Sequence, residues 1–288
     1  MTERAPRPPR AETREIIELR QLKIAQPDLG DAIDMQIALV DMQRRVQSRV
    51  PLPWIQAEPE WLHAQQVAGR PLVRFTDIPL DWSDFRLIFR QTADILRRHD
   101  ALDAADYDAV VALARDGNAL EAIVGRWYEG TPGVDGDDAS ARLPPGAPAM
   151  LDHVLVLALR PFLARSAEAL SQTVDLTGWT RGYCPFCGWE PDFAVITPNA
   201  DRRLVCGRCA AQWAFAPLTC PFCLNDNPRH VTSFATRDGT YRVYACDDCK
   251  RYLKAYDARH AARPVMVAVD AIATLPLDAA AMQRGYVG

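Results

Sequence analysis

Cys184 to Cys209 reads CPFCGWEPDFAVITPNADRRLVCGRC, and Cys220 to Cys249 reads CPFCLNDNPRHVTSFATRDGTYRVYACDDC. Each stretch opens and closes on a C-x-x-C pair. The pairs Cys184/Cys187, Cys206/Cys209, Cys220/Cys223 and Cys246/Cys249 hold all 8 cysteines of the 288-residue chain, and the first 183 residues contain none. Two residues between thiolates let a tight turn aim both sulfurs at one ion, and two such knuckles complete a tetrahedral site. A disulfide framework suits a small secreted domain rather than a long chain. A thioredoxin-like redox site needs one such pair opening a helix after a strand, not four in series. Metal ligation accounts for the repetition.

The gaps suggest how the pairs combine. Eighteen residues separate Cys187 from Cys206, twenty-two separate Cys223 from Cys246, and only ten lie between Cys209 and Cys220. The longer gaps fit hairpins that carry the chain away and back, and the short one fits a link. The simplest pairing is sequential: Cys184, Cys187, Cys206 and Cys209 as site one, and Cys220, Cys223, Cys246 and Cys249 as site two. The first matches the C-x2-C-x15–20-C-x2-C zinc pattern and the second exceeds it by two. An interleaved pairing is the alternative.

Between the knuckles, Phe193 to Thr197 and Arg203 to Val205 read as strands about the turn Pro198 to Asp201. His230 to Ala235 and Thr240 to Ala245 flank Asp238-Gly239, a strong hairpin signal. Gln212 to Phe215 and Arg251 to Tyr256 each read as a third strand. Gly188 follows the first knuckle, where a positive φ is often needed, whereas Leu224 follows the third. A module of this size is near the limit below which a core alone fails. A structural metal supplies roughly 10–16 kcal/mol in small zinc modules. The expectation is that a chelator unfolds residues 180–257 and leaves the preceding segment folded.

Before position 180 the periodicity is helical. Met35, Leu39, Met42 and Val46 share one face of a helix over 31–50, and Phe85, Ile88, Phe89 and Leu96 do so after Ser83, read as an N-cap. Tyr107, Val110, Val111 and Ala114 form a stripe stopped by Gly117. Asn118 is read as capping a helix with Leu120, Ile123, Val124 and Trp127 inward. Met150, Val154 and Leu157 mark a last helix, bent at Pro161. The fold class expected is α+β: an irregular N-terminal α-helical domain followed by two tandem small β modules of rubredoxin-like or zinc-ribbon type. The boundaries expected are 1–175 for the helical domain, 176–216 and 217–260 for the modules, and 261–288 for a C-terminal segment. Residues 1–14 read as disordered and 130–148 as a mobile loop.

Hydrophobic residues make up 49% and charged residues 24% of the chain, and the net charge is −4, which argues against a protein built mainly to coat nucleic acid or anionic membrane. The longest apolar-looking stretch, 147–163, is interrupted by Asp152, His153, Arg160 and Pro161, so no membrane span is expected. The N-terminus carries charge and proline without an apolar run, so no signal peptide is read there and a cytoplasmic location is expected. No Gly-rich phosphate loop, G-x-S-x-G or H-E-x-x-H occurs, and His63, His99 and His153 stand alone. His230 and His260 lie near the modules, but eight thiolates already fill two tetrahedral shells. Trp54, Trp61 and Trp82 are read as core packing rather than partner anchors.

Between positions 175 and 260 eleven Lys/Arg face nine Asp/Glu. Eight thiolates and two ions leave this region without the basic field that phosphate binding needs, which makes nucleic acid an unlikely partner. Arg202, Arg203 and Arg208, and Lys250, Arg251 and Lys254, are local basic clusters that keep a zinc-ribbon nucleic-acid adaptor as one alternative. A rubredoxin-like electron-transfer protein is another, since four thiolates hold iron as well as zinc. A non-catalytic protein adaptor is the third.

The run Cys184-Pro-Phe-Cys187-Gly188-Trp-Glu-Pro191, then Arg203-Leu-Val-Cys206-Gly-Arg-Cys209 with Trp213 four positions on, then Cys220-Pro-Phe-Cys223, resembles the FdhE family of formate dehydrogenase accessory proteins. So do Cys246-Asp-Asp-Cys249-Lys-Arg-Tyr252-Leu-Lys254 and the closing segment Asp270-Ala-Ile-Ala-Thr-Leu-Pro-Leu-Asp278 with Gly285-Tyr286. The resemblance covers roughly 181–288; before 170 it is one of length and helical character. It implies a cytoplasmic maturation factor rather than an enzyme, one that binds the catalytic subunit of a respiratory formate dehydrogenase. It also implies two metal ions, with iron favoured and zinc possible, on the eight cysteines. Leu224 departs from the glycine that might follow a knuckle, which bears on the sulfur hydrogen bonding at site two. Self-association is not addressed by the sequence.

Overall fold

The structure is a computed structural model that describes residues 12–55, 58–130, 143–144, 146–259, 261 and 263–288. Most of the expected disordered start and of the expected 130–148 loop, and His260, lie outside the described residues. The helical part comprises α1 (Arg14–Ala25), α2 (Gly30–Gln47), α3 (Pro59–Ala68), α4 (Trp82–Arg98), α5 (Ala104–Arg115), α6 (Gly117–Glu129) and α7 (Leu151–Ser171). Strands β1 (Pro191–Ile196), β2 (Arg202–Cys206), β3 (Gln212–Phe215), β4 (Val231–Ala235), β5 (Tyr241–Cys246) and β6 (Tyr252–Asp257) follow, and α8 (Val267–Ala273) and α9 (Leu275–Gln283) close the chain. The class is α+β, as expected.

The apolar stripes read from the sequence face inward. Leu39, Met42, Phe85, Ile88, Phe89, Leu96, Val110, Ala114, Leu120, Val124 and Trp127 are buried in one core. Two caps differ from the reading. Asp81, not Ser83, caps α4: its carboxylate accepts from the N–H groups of Ser83 and Asp84, both at 2.9 Å. Asp116, not Asn118, caps α6 by accepting from Ala119 N at 3.0 Å, and Gly117 is already the first residue of that helix. In both places a carboxylate two residues upstream of the residue read as the cap satisfies the orphan N–H groups and favours the positive helix end.

Helix α7 runs through Pro161 without ending there. Proline has no N–H for the carbonyl four residues back. That carbonyl, on Leu157, instead accepts from Gln43 Nε2 of α2 at 2.9 Å. The lost helical bond thus becomes a bond between helices. Trp82 packs against the core as expected, whereas Trp61 is half-buried with Arg74 over its ring and Trp54 is 93% exposed.

The two cysteine modules are not separate beads. Their six strands form one sheet in the order β3-β2-β1-β6-β5-β4, with β1 and β6 paired in parallel from Phe193↔Lys254 to Ile196↔Asp257 and every other pair antiparallel. Strand β6 is buried along its whole length and β1 nearly so, as befits central strands covered on both faces. The core that holds the helices continues without a break into Phe186, Leu204, Trp213 and Leu253. With this shared core, metal loss at site one should reach the helices as well as 180–257, because side chains that the helices pack against belong to it.

The C-terminal segment straps the sheet to the helices. Met266 and Val269 join Ile16, Leu19, Ile33 and Val40 in a second core. The buried Asp270 accepts from Tyr241 Oη at 2.8 Å, Arg263 Nη2 at 2.6 Å and Met266 N at 2.7 Å. Asp278 accepts from Tyr252 Oη at 2.7 Å and Lys254 Nζ at 2.6 Å, and Tyr286 Oη donates to Asp247 beside the fourth knuckle at 2.9 Å. The acidic and aromatic residues of the closing motif are therefore its fastenings.

One strap at the end of β6 is pH-sensitive. Asp257, fully buried, is held far below the usual carboxylate range by hydrogen bonds from Arg259 and, against burial, from Arg242. A depressed folded-state value means that stability is present above the unfolded value near 3.9 and is lost as pH falls toward the folded one. Asp257→Asn should therefore cost about 3 kcal/mol at neutral pH, as expected for breaking a buried ion pair. Urea unfolding at pH 7 and below pH 4 checks this: the gap between the two proteins should narrow in acid, and a gap independent of pH would contradict the assignment.

Candidate metal centres

Four copies of one backbone knuckle create the two sites. In each, the N–H of the first cysteine donates to the carbonyl two residues past the second: Cys184 to Trp189 at 2.8 Å, and Cys206 to Ala211, Cys220 to Asn225 and Cys246 to Arg251 at 2.9 Å. The residue directly after the second cysteine is left-handed every time: Gly188 (φ 70°), Ala210 (φ 59°), Leu224 (φ 60°) and Lys250 (φ 56°). A side chain there costs on the order of 1–2 kcal/mol relative to glycine. Leu224 nevertheless completes the turn, donating its N–H to Cys220 O at 3.0 Å just as Gly188 does to Cys184 O at 2.9 Å. The departure noted in the sequence is absorbed as strain, and the geometry of the turn survives.

The sequential pairing is the one the fold brings together. Cys184, Cys187, Cys206 and Cys209 converge in one group and Cys220, Cys223, Cys246 and Cys249 in the other, with the sulfurs of each group within 4.8 Å of one another. Sγ–Sγ distances are 3.6 Å for Cys184/Cys209, 3.4 Å for Cys187/Cys206, 3.7 Å for Cys220/Cys249 and 3.6 Å for Cys223/Cys246. Four sulfurs at 2.3 Å from a tetrahedral ion stand roughly 3.8 Å apart, so each group could hold one metal ion. Burial pushes the Cys184 and Cys209 thiols well above their ordinary range. Four buried thiolates therefore need a cation to stay charged, which is what a dication or trication supplies.

The groups differ in exposure. All four sulfur-bearing residues of site one are buried, whereas Cys223 is exposed and Cys249 half-buried at site two. Backbone N–H groups still reach the sulfurs: Arg208 N and Cys209 N donate to Cys206 Sγ at 3.3 and 3.4 Å. At Cys246, burial raises the thiol, but the N–H groups of Cys249 and Asp248 and the Asn225 amide hold it at about 7.

Site one is built into the helical part. Leu72 N and Val73 N donate to the carbonyls of Pro185 and Phe186 in the first knuckle at 2.9 and 2.8 Å. Arg160 of α7 donates to Gly207 O in the second knuckle. Arg208, fully buried between Cys206 and Cys209, lies with its guanidinium carbon 3.9 Å from the ring centroids of both Trp127 of α6 and Trp189. Trp127 Nε1 in turn donates to Asp152 at 2.6 Å.

Site two rests on the first module. Gly182 sits so close to the third knuckle that a Cβ there would meet Pro221 O at 1.8 Å. Arg251, two residues past Cys249, makes a two-pronged ion pair with Glu190 at 2.7 and 2.9 Å and stacks 3.6 Å from the centroid of Phe222. Arg202 of β2 also crosses between the modules. The basic clusters read from the sequence are thus not surface fields: Arg202, Arg208 and Lys254 are buried, Arg251 is paired with Glu190 and Lys250 with Asp247, and only Arg203 of the first cluster is exposed. His230, set aside as a ligand, pairs through Nδ1 with Asp248 at 2.7 Å. The supporting arginines were missed as site residues because charged side chains are normally solvated.

Comparison with known proteins places relatives beside this geometry. No family model matches the chain. An FdhE homolog from Aquifex aeolicus is 28% identical over 143 residues, 48% of this chain and 50% of the relative. One from Stutzerimonas stutzeri is 30% identical over 149 residues, 50% and 47% of the two chains, and one from Erwinia tasmaniensis is 31% identical over 110 residues, 38% and 35%. The matches thus span half or less of the length of these curated relatives. The crystal structure of the FdhE protein from Pseudomonas aeruginosa shares the fold with a TM-score of 0.62 at 23% identity, over 95% of this chain and 91% of that one. Among the described residues no helix is long and apolar enough to cross a membrane.

Proposed function

This chain is an FdhE-family protein, and from that premise we propose that it is a cytoplasmic, non-enzymatic accessory protein in the maturation of a respiratory formate dehydrogenase, whose catalytic subunit it binds. The eight cysteines Cys184, Cys187, Cys206, Cys209, Cys220, Cys223, Cys246 and Cys249 are the ligands of two metal ions, iron by family resemblance and zinc as the other candidate. The observation that carries this reading is the pair of convergent four-cysteine groups in a chain similar to FdhE homologs over about half its length. The alternative of a nucleic-acid adaptor loses most of its support, because of the six arginines and lysines that suggested it all but Arg203 are buried or engaged with carboxylates. Tagged protein purified from cells that make formate dehydrogenase should bring down the catalytic subunit. Recovery of RNA with a steep salt dependence, and no such subunit, would overturn the reading.

A redox role has one specific observation in its favour: Cys223 brings the edge of site two to the surface, where electrons could pass to or from a client. Cells lacking the accessory factor distinguish the roles. If the ions only hold shape, zinc-loaded protein restores formate dehydrogenase activity as well as the iron form does. If electrons pass, only the iron form restores it.

A further inference from the structure

Arg202 lies in the first module, on β2 opposite Ile196 of β1 and Phe215 of β3. Its side chain leaves that module. Nη1 donates to Thr219 O at 2.9 Å and approaches Pro217 O and Ala216 O at 3.4 and 3.5 Å, so it fastens the link that leads into the third knuckle. Its guanidinium carbon lies 4.7 Å from the ring centroid of Tyr244 on β5. The residue is 2% exposed, and among the described residues Nε and Nη2 have no hydrogen-bond partner. Together with Cys220, Cys246, Tyr244 and Arg251, whose charge Glu190 already pairs, it lines a small cavity of about 10 Å³.

A buried guanidinium stays charged and is costly without an anion. No carboxylate among the described residues forms an ion pair with Arg202; burial pulls its guanidinium down to about 10, opposed by Tyr244 and then by Cys220. Tyr244 offers the guanidinium its ring face, which carries no formal charge. That leaves the thiolates of site two. Four thiolates around a dication carry a net charge of −2, and in a partly buried site that excess needs compensation.

We propose that Arg202 is the positive charge that balances the thiolate set of site two, so that the second module retains its metal through a side chain supplied by the first. Arg202 is a positioning residue by this account, since it touches the link and the aromatic ring but not the ion. The two sites are then unequal: site one has its cation, Arg208, inside its own knuckle, whereas site two borrows one. This rests on the metal reading above.

The test loads the full chain with cobalt(II), whose tetrathiolate complexes absorb visible light, and follows release to excess EDTA. Wild type should take up two equivalents; no uptake would overturn the metal reading and this inference with it. In Arg202→Leu one equivalent should leave at least tenfold faster while the other keeps the wild-type rate. In a Cys223→Ser background, where only the site-one ion remains, adding Arg202→Leu should change nothing. Arg202→Lys, which keeps the charge beside the thiolates, should bring release back to within about threefold of wild type. Should the leucine variant fail to fold, Arg202→Gln supplies the neutral comparison. Wild-type release from a neutral variant, or equal acceleration by the neutral and lysine variants, would overturn charge balance.

Discussion

Cys184→Ser should leave little folded protein, whereas Cys223→Ser should yield a folded chain that retains one ion. Both substitutions remove one sulfur from a set of four, so ligand chemistry alone predicts equal effects. Their surroundings differ. Cys184 is fully buried, and its knuckle lends two carbonyls to Leu72 and Val73, which in turn accepts from Tyr128 Oη at 2.9 Å. Losing the site-one ion therefore loosens the core shared with the helices. Binding energies of roughly 10–16 kcal/mol for structural zinc are as large as the whole stability of a typical domain, about 5–15 kcal/mol. Cys223 is exposed, on the loop between β3 and β4. Soluble yield, metal per chain and thermal unfolding of the two variants in parallel provide the check. Equal yields and equal melting temperatures would show that site one is not the structural centre of the molecule.

Trp127→Ala should lower the unfolding free energy by about 4 kcal/mol, within the range for truncating a large buried aromatic. Three contacts go with the ring. Trp127 packs at 5.5 Å against Trp189, forms one wall of the slot that holds Arg208, and donates to Asp152. The slot matters most, because a desolvated cation on an indole face is worth about 2 kcal/mol, and Arg208 is fully buried beside the site-one sulfurs. Burial pulls the Arg208 guanidinium below its ordinary value, opposed first by the neighbouring Cys187 thiolate. The same variant should therefore lose the site-one ion faster. Trp127→Phe keeps an aromatic wall and gives up the Asp152 bond, so it should cost less than half as much. Denaturant unfolding gives both numbers; a phenylalanine variant as unstable as the alanine one would mean that the indole N–H, not the aromatic slot, carries the contribution.

What could be read from the sequence is local. The knuckles, the hairpin turns about Pro198 to Asp201 and Asp238-Gly239, and the inward stripes of α4 and α6 are set by residues a few positions apart. The parallel pairing of β1 with β6 joins segments some sixty residues apart, and nothing in either strand names the other. Two strands rich in Val, Ile, Leu, Ala and Tyr hint at burial on both faces but not at a partner. The arginines are the instructive failure. The sequence groups Arg202 and Arg208 with Arg203 as one local basic cluster, yet alternation along β2 puts Arg202 on the same face as Leu204 and Cys206, and Arg208 stands inside a knuckle whose sulfurs are buried. Both positions carried the signal. Reading charge before periodicity hid it. The caps at Asp81 and Asp116 were missed for a smaller reason, since aspartate, serine and asparagine lie within two residues of one another and all cap well.

The most direct test is a metal count under native conditions. Anaerobically purified protein, weighed intact by native mass spectrometry and analysed for metals, should carry two ions per chain, with all eight thiols unreactive until a chelator is added and free afterwards. A chain that carries no ion, with its cysteines joined to one another as disulfides, would contradict the account at its root.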